Sequence, residues 1–144
     1  MNHRLFIIDD NPGDVELVRQ ALRELGAGVD ISFATEGNEA LRQLRGLAAA
    51  GPEWLPGLIL LDLNLIAQHG HEILRRIKAE PLLTTIPVAV YSSSRADQDM
   101  RLSHAAGAAA CFAKPATYTE ILTLMKVVAN NWLPAAKPPH PTTP

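Results

Sequence analysis

The sequence predicts an α/β protein built on a five-stranded, doubly wound parallel sheet in a single domain. Short apolar runs alternate with amphipathic segments along the chain, which is the pattern of strands separated by helices. Such connections are right-handed crossovers that make neighbouring strands parallel and place helices on both faces of the sheet. The runs at 5–8 and 58–61 are continuously apolar, as expected for strands that are buried on both faces.

The predicted strands are residues 5–8, 29–33, 58–63, 88–91 and 108–113, and the predicted helices are residues 12–25, 39–47, 71–77, 96–106 and 118–132. Pro12 suits the first turn of a helix, whereas Pro81 and Gly107 favour helix ends. The connection 48–57, which contains two Pro, two Gly and Trp54, is longer than the next strand requires, so we expect it to carry a contact.

Composition sets the domain limits and excludes several function classes. Residues 134–144 are too poor in apolar side chains to fold, so we expect a folded domain over 1–133 and a disordered tail. The formal net charge of −2 gives no basic surface for nucleic acid. Because no apolar run approaches the length of about 20 residues that a membrane span requires, we expect a soluble, cytoplasmic protein. The single Cys111 is expected to be a buried, inert thiol.

Polar side chains occur where the predicted strands stop. They are Asp9, Asp10, Asp62, Ser92 and Lys114. The carboxyl ends of parallel strands open onto one crevice, so side chains that are far apart in sequence can converge there. Three carboxylates, a hydroxyl and an ammonium in one pocket would suit a hard dication and a phosphoryl group.

The acidic residues indicate a metal site. Adjacent Asp9 and Asp10 repel each other unless a cation lies between them, although a solvated turn before a helix is an alternative interpretation. Asp62 follows an apolar run, where an unpaired carboxylate would be costly, so it needs a cation, a proton or exposure. Mg²⁺ prefers oxygen ligands, and Asp10, Asp62 and the Asn64 backbone carbonyl are the candidates, with Asp9 holding a bound water.

Asp62 is also the candidate nucleophile towards phosphorus. Phosphoryl transfer depends mainly on positioning and on neutralising the phosphoryl oxygens, for which Lys114 supplies a cation and Ser92 a hydrogen bond. Taken singly, Lys114 could extend to solvent at the end of an apolar run, and Ser92 could belong to a hydroxyl-rich turn.

The joint pattern resembles the receiver domain of two-component response regulators over residues 4–133. The matching motifs are Ile7-Ile8-Asp9-Asp10-Asn11, Leu60-Leu61-Asp62-Leu63-Asn64, Gly70, Val90-Tyr91-Ser92-Ser93 and Lys114-Pro115. The resemblance implies a flavodoxin-like sheet with strand order 2-1-3-4-5. It further implies a phosphoacceptor that is not itself an enzyme: a sensor histidine kinase phosphorylates Asp62, Mg²⁺ or Mn²⁺ binds at Asp9, Asp10 and Asn64, and Lys114, Ser92 and Ser93 contact the phosphoryl group.

Within that family, four segments are similar to the single-domain regulators that partner bacterial phytochromes. They are residues 9–17, 48–57, 62–65 and 132–134. This resemblance implies a light-sensing kinase and a homodimer formed through the last two helices and the last strand, including Trp132. Output would then pass to another protein or to a phosphotransfer partner.

The sequence departs from the family pattern at two places. Ser92 and Cys111 occupy the positions that usually switch together, and Cys111 replaces a Tyr or Phe. Leu65-Ile66 replaces the Met-Pro that commonly follows the Asn. Separately, Asn64 and Ser94 are each two positions beyond a site residue, so they would flank the water that hydrolyses the phosphoryl group. A degenerate receiver that acts as an interaction module therefore remains the alternative function. A haloacid-dehalogenase phosphatase would need a second acid where Asn64 stands, and a flavin site would need a hydroxyl-rich first loop.

Overall fold

The chain forms a parallel sheet with helices on both faces. The structure, a computed structural model, describes residues 3–65, 69–93 and 97–133. The strands are β1 (Arg4–Ile8), β2 (Asp30–Ala34), β3 (Leu58–Leu61), β4 (Val88–Ser92) and β5 (Ala110–Ala113), and the helices are α1 (Pro12–Glu24), α2 (Gly37–Ala50), α3 (Gly70–Ala79), α4 (Asp97–Ala105) and α5 (Tyr118–Trp132). The strand order is β2-β1-β3-β4-β5 and every pair is parallel, which confirms the predicted fold class.

The core has two layers, one on each face of the sheet. Leu5 and Ile7 of β1 pack with α1 and α5, whereas Phe6 and Ile8 pack with α2 and α3. This alternation is the two-residue period of a strand, and both sets are buried because β1 lies inside the sheet. The continuous apolar run in the sequence of β1 therefore reflects the helices that cover both faces of the sheet.

Some element boundaries differ from the predicted ones. β3 ends at Leu61 rather than residue 63, because the Asp62 amide makes the last sheet hydrogen bond, 2.9 Å from the Ile8 carbonyl, before the chain turns. α2 extends to Ala50 and absorbs part of the predicted connection. β5 starts at Ala110 because Gly107, with φ of +105°, reverses the chain after α4.

The rest of the connection before β3 makes the contact for which the sequence left room. Residues Pro52–Trp54 form a short 3₁₀ turn, and the Trp54 side chain is 42% exposed. The Arg4 guanidinium lies 4.5 Å from the centroid of the Trp54 ring, in the geometry of a cation–π interaction. The turn therefore covers the start of β1.

Two capped helices fix the loops beside the strand ends. The Asn11 side chain accepts hydrogen bonds from the amides of Gly13, at 2.9 Å, and Asp14, at 3.2 Å, and so caps α1. Thr117 and Glu120 form a capping box at the start of α5. These caps hold the segments that follow β1 and β5 at the same edge of the sheet.

Several sequence expectations fall outside the described residues, namely the tail 134–144, Ile66 and Ser94. Within the described ranges, none of the helices combines the length and the apolar character needed to cross a membrane.

Candidate functional site

The strand ends bring together the acidic residues that the sequence singled out. Asp9 follows β1 and Asp62 follows β3, and these two strands are neighbours in the sheet. Asp9, Asp10 and Asp62 each place a carboxylate oxygen so that all three lie within 4.8 Å of one another. Asp9 and Asp62 are buried, with exposures of 1% and 5%, whereas Asp10 is partly exposed. The cluster therefore opens to solvent on the Asp10 side.

Lys114 places its ammonium in the middle of this cluster. Its Nζ lies 2.8 Å from Asp9 Oδ2, 2.7 Å from Asp14 Oδ2 and 3.0 Å from Asp62 Oδ2. The side chain is 13% exposed, so it turns into the crevice instead of extending to solvent. Burial acts to lower the pKa of Lys114, but hydrogen bonds to Asp14 and Asp9 outweigh it and raise the pKa above its usual range. The ammonium is therefore charged at neutral pH.

The environment of Asp9 favours an additional cation. Burial raises the pKa of Asp9 to about 6, and the Asp62 charge adds to the rise. Hydrogen bonds from Lys114 and from the Asn11 amide, 2.9 Å from Asp9 Oδ1, act in the opposite direction. Three carboxylates, those of Asp9, Asp14 and Asp62, share the single Lys114 ammonium, so negative charge exceeds positive charge around Asp9. The donors are carboxylate oxygens, which are the ligand type that Mg²⁺ or Mn²⁺ prefers, so the residues fit a hard dication.

The turn after β3 wraps around Asp62. The Asn64 amide donates to Asp62 Oδ1 at 3.0 Å, while the Asn64 side-chain amide donates to Ser92 Oγ at 3.3 Å. Ser92 is fully buried at the end of β4, and Ser93, the next residue, is exposed. The structure therefore brings Ser92 and Asn64 beside Asp62 and leaves Ser93 at the rim.

Gly70 explains why the start of α3 can approach Asp62 so closely. The Gly70 amide donates to the Leu63 carbonyl at 2.9 Å. A Cβ atom on Gly70 would lie 2.6 Å from both the Asp62 carbonyl oxygen and the Leu63 Cα. These are backbone atoms, so a side chain at this position would displace the turn that carries Asp62.

Sequence reasoning missed two residues of the site. Asp14 lies in the first turn of α1 and pairs with Lys114, and Tyr91 has its ring centroid 5.7 Å from the Lys114 ammonium. Burial raises the pKa of Tyr91 to about 12, so its hydroxyl stays protonated. The sequence offered two signals for them: Asp14 is a further acid a few residues after Asp10, and Tyr91 is an aromatic residue next to Ser92.

Cys111 is a correction to the sequence prediction. The thiol was expected to be buried, but Cys111 is only partly buried, because β5 is an edge strand whose residues all keep some exposure. Burial raises the pKa of the Cys111 thiol, and a hydrogen bond with the Ser103 side chain opposes that rise. The position where the sequence resemblance led us to expect an aromatic ring thus holds a small, partly buried thiol.

A second group of ligand-type residues, His69, His71 and Asp99, also lies within 4.8 Å. One ring nitrogen of each histidine already has a partner. His69 Nδ1 accepts a hydrogen bond from the His71 amide at 3.3 Å, and His71 Nε2 lies 3.1 Å from the Asp99 carbonyl. Binding a metal through His69 Nδ1 would break the cap of α3, so this group fits a structural role better than a metal site.

Comparison with known families agrees with the fold. The family model for the response regulator receiver domain matches residues 5–126. The chain therefore belongs to the response regulator receiver family.

Individual relatives are similar over nearly their whole length. The probable methanogenesis regulatory protein FilR2 from Methanothrix harundinacea is 31% identical over 137 residues, which cover 95% of this chain and 88% of FilR2. The crystal structure of the phosphorylated cyanobacterial phytochrome response regulator RcpA matches with a TM-score of 0.81 at 30% identity, covering 97% of this chain and 100% of RcpA. The Mn²⁺-bound form of response regulator Rcp1, from Synechocystis, matches with a TM-score of 0.76 at 25% identity, covering 95% of this chain and 99% of that one.

Proposed function

We propose that this protein is a response regulator that accepts a phosphoryl group on Asp62 from a sensor histidine kinase and signals through protein contacts. The observation that carries the proposal is the position of Asp62, which is buried beside two other carboxylates with the Lys114 ammonium 3.0 Å away. A buried carboxylate with one cation already in place, and with two further carboxylates beside it that could hold a second, is suited to attack an anionic donor.

The transfer conserves atoms and charge. A carboxylate oxygen of Asp62 forms a bond to phosphorus while the bond from phosphorus to the donor nitrogen of a phosphohistidine breaks, and that electron pair stays on the imidazole. The product is an acyl phosphate. Lys114 pairs with one phosphoryl oxygen, and the Ser92 hydroxyl donates to another. Mg²⁺ or Mn²⁺ bound by Asp10, Asp62 and the Asn64 carbonyl, with Asp9 holding a water, would neutralise the negative charge of the phosphoryl group.

Signalling would follow from changes around Lys114 and Ser92. A phosphoryl group on Asp62 competes with the Asp9, Asp14 and Asp62 carboxylates for the Lys114 ammonium. It also accepts a hydrogen bond from the Ser92 hydroxyl, which in this structure accepts one from the Asn64 side chain. Ser92 ends β4, which leads towards α4, and Cys111 lies on the neighbouring β5. We infer that Ser92 and Cys111 mark the switching region and that a partner protein or phosphotransfer protein binds one of its two states.

We further propose that the kinase is a bacterial phytochrome and that the regulator is a cytoplasmic homodimer. The likeness to RcpA, a phytochrome response regulator, over 97% of this chain supports the first part. For the dimer, the face formed by α4, β5 and α5 carries Leu102 and Val127, which are 44% and 42% exposed, and Trp132, whose ring packs at right angles on Phe112 at 6.0 Å. Phosphotransfer that is faster from a bilin-bound kinase than from an unrelated kinase, together with a dimer mass in solution, would support these assignments.

The alternative is a degenerate receiver that binds partners without phosphorylation. Cys111 favours it, because a thiol cannot reproduce the inward movement of an aromatic ring.

One experiment separates the two functions. The purified protein is incubated with acetyl phosphate and Mg²⁺, with or without a chelator, and the intact mass is measured. We expect a gain of one phosphoryl group that requires both the metal and Asp62. Asp62→Asn should show no gain, whereas Asp30→Asn, on the exposed edge strand β2, should be labelled like the wild type. No gain in the wild type, under conditions that label another receiver, would support the interaction module and refute the phosphoacceptor.

A further inference from the structure

His71 joins the start of α3 to α4 through buried hydrogen bonds. The residue is 4% exposed, and its Nε2 lies 2.9 Å from Ser103 Oγ and 3.1 Å from the Asp99 carbonyl oxygen. A carbonyl oxygen only accepts hydrogen bonds, so Nε2 must carry the hydrogen. The Ser103 hydroxyl donates to the same Asp99 carbonyl at 2.8 Å, which leaves its oxygen to accept from His71. Three groups on two helices thus satisfy one another.

On the α3 side, His71 is next to Gly70, which packs against the turn of Asp62, the proposed phosphoacceptor. His71 follows Gly70, whose amide is bonded to the Leu63 carbonyl and whose Cα lies against the Asp62 backbone with no room for a Cβ. Because this contact is between backbone atoms, a shift of the turn at Asp62 must move Gly70. The imidazole of His71 then moves relative to α4.

Helix α4 depends on this contact more than the other helices do. Ser103 is its single buried side chain among residues 97–105, whereas Leu102 is 44% exposed. A helix with so little buried apolar surface is held mainly by directional bonds, and such an element can change position when one bond changes. The Ser103 side chain also opposes the rise in the pKa of the Cys111 thiol, so it is close both to His71 and to the residue that replaces the usual aromatic.

We propose that His71 is a positioning residue that latches α4 to the Asp62 turn in the unphosphorylated protein and releases α4 when Asp62 is phosphorylated. This latch rests on the proposed phosphoacceptor function. It gives a route from Asp62 to α4 that does not require an aromatic ring at position 111.

The test compares the wild type with His71→Leu, which has a similar volume but no donor. Hydrogen exchange of residues 97–105 is measured by mass spectrometry with and without Mg²⁺ and beryllofluoride, a phosphoryl mimic. The rate of phosphorylation by acetyl phosphate is measured in parallel. The latch predicts that His71→Leu accelerates exchange of α4 before the mimic is added and removes most of its further effect. Because coupling between binding events is reciprocal, the variant should also bind beryllofluoride roughly fivefold more tightly or more. It should be phosphorylated faster as well, because the reaction no longer has to break the latch.

Three further variants make the outcome decisive. His71→Gln keeps a donor of similar reach and should behave like the wild type, and His104→Leu changes an exposed histidine on α4 and should have no effect. Ser103→Ala removes the nearer of the two acceptors of His71 with a minimal change in volume and should change exchange and phosphorylation in the same direction as His71→Leu, by a smaller amount, which covers the case in which the latter unfolds. Wild-type exchange and phosphorylation rates in both His71→Leu and Ser103→Ala would overturn the latch alone. A wild-type protein that gains no phosphoryl group would overturn the proposed function and the latch together.

Discussion

Lys114 is closer to Asp14 than to the proposed phosphoacceptor: its Nζ lies 2.7 Å from Asp14 Oδ2 and 3.0 Å from Asp62 Oδ2. Asp14 therefore shares the cation that the phosphoryl group needs. The Asp14 side chain is 30% exposed, so solvent weakens this pair more than the pair with Asp62. Lys114 can therefore exchange its ion pair with Asp14 for a stronger one with a phosphoryl group on Asp62.

Replacing Asp14 should thus help phosphorylation. We expect Asp14→Asn to raise the rate of phosphorylation by acetyl phosphate up to about fivefold, which corresponds to a partly exposed ion pair of roughly 1 kcal/mol. Glu16→Gln removes a charge from the same helix, where Glu16 pairs with Arg19 at 3.4 Å, and should leave the rate unchanged. A slower reaction in Asp14→Asn would mean that Asp14 holds Lys114 in the reactive position.

Removing the ammonium should destabilise the metal-free protein. Lys114→Met leaves the buried carboxylates of Asp9 and Asp62 without their shared cation, which should lower the free energy of unfolding by about 1–3 kcal/mol. Mg²⁺ should recover part of this loss by binding the folded state. Urea denaturation with EDTA and with Mg²⁺ measures both effects.

The control for this measurement is Lys126→Met on the exposed side of α5, which should change stability by less than about 0.5 kcal/mol. Equal stabilities of Lys114→Met and the wild type in EDTA would show that the carboxylates take up protons without cost, and would contradict the electrostatic account of the cluster.

The sequence was sufficient to predict the fold and the convergence of Asp9, Asp62 and Lys114, because both follow from strand order and strand ends in a parallel sheet. The contact of Asp14 with Lys114 could not be predicted in the same way, because it depends on the position of α1 relative to the end of β5. The position of His71 against Ser103 likewise depends on the packing of α3 on α4. Sequence periodicity identifies the buried face of a helix, but not which residue of another helix that face will meet.

Ser92 should contribute to holding the phosphoryl group but not to accepting it. Ser92→Ala removes a buried hydroxyl next to Asn64, so we expect the variant to be labelled by acetyl phosphate while its affinity for beryllofluoride falls about tenfold or more. Ser92→Thr keeps the hydroxyl and should bind nearly as well as the wild type. Isothermal titration in Mg²⁺ gives the affinities.

The same titration tests Ser93, which the sequence resemblance included among the phosphoryl contacts. Ser93 is exposed at the rim of the site, so Ser93→Ala should weaken beryllofluoride binding much less than Ser92→Ala does. If the two variants lose affinity equally, the exposed hydroxyl takes part in binding and the assignment of a single buried donor is wrong.

Gly70 is the position at which a single methyl group should disturb the site without touching any of its polar side chains. In Gly70→Ala the new Cβ would lie 2.6 Å from the Asp62 carbonyl oxygen and the Leu63 Cα, so the turn must shift. We expect a loss of about 1–3 kcal/mol in the free energy of unfolding, together with slower phosphorylation. Gly46→Ala is the matched control, because its Cβ meets nothing within 4 Å on α2 and should instead stabilise the protein by roughly 0.5–1 kcal/mol. Urea denaturation and phosphorylation rates of both variants check the prediction, and a Gly70→Ala protein with wild-type stability and rate would show that α3 can retreat from Asp62 without consequence.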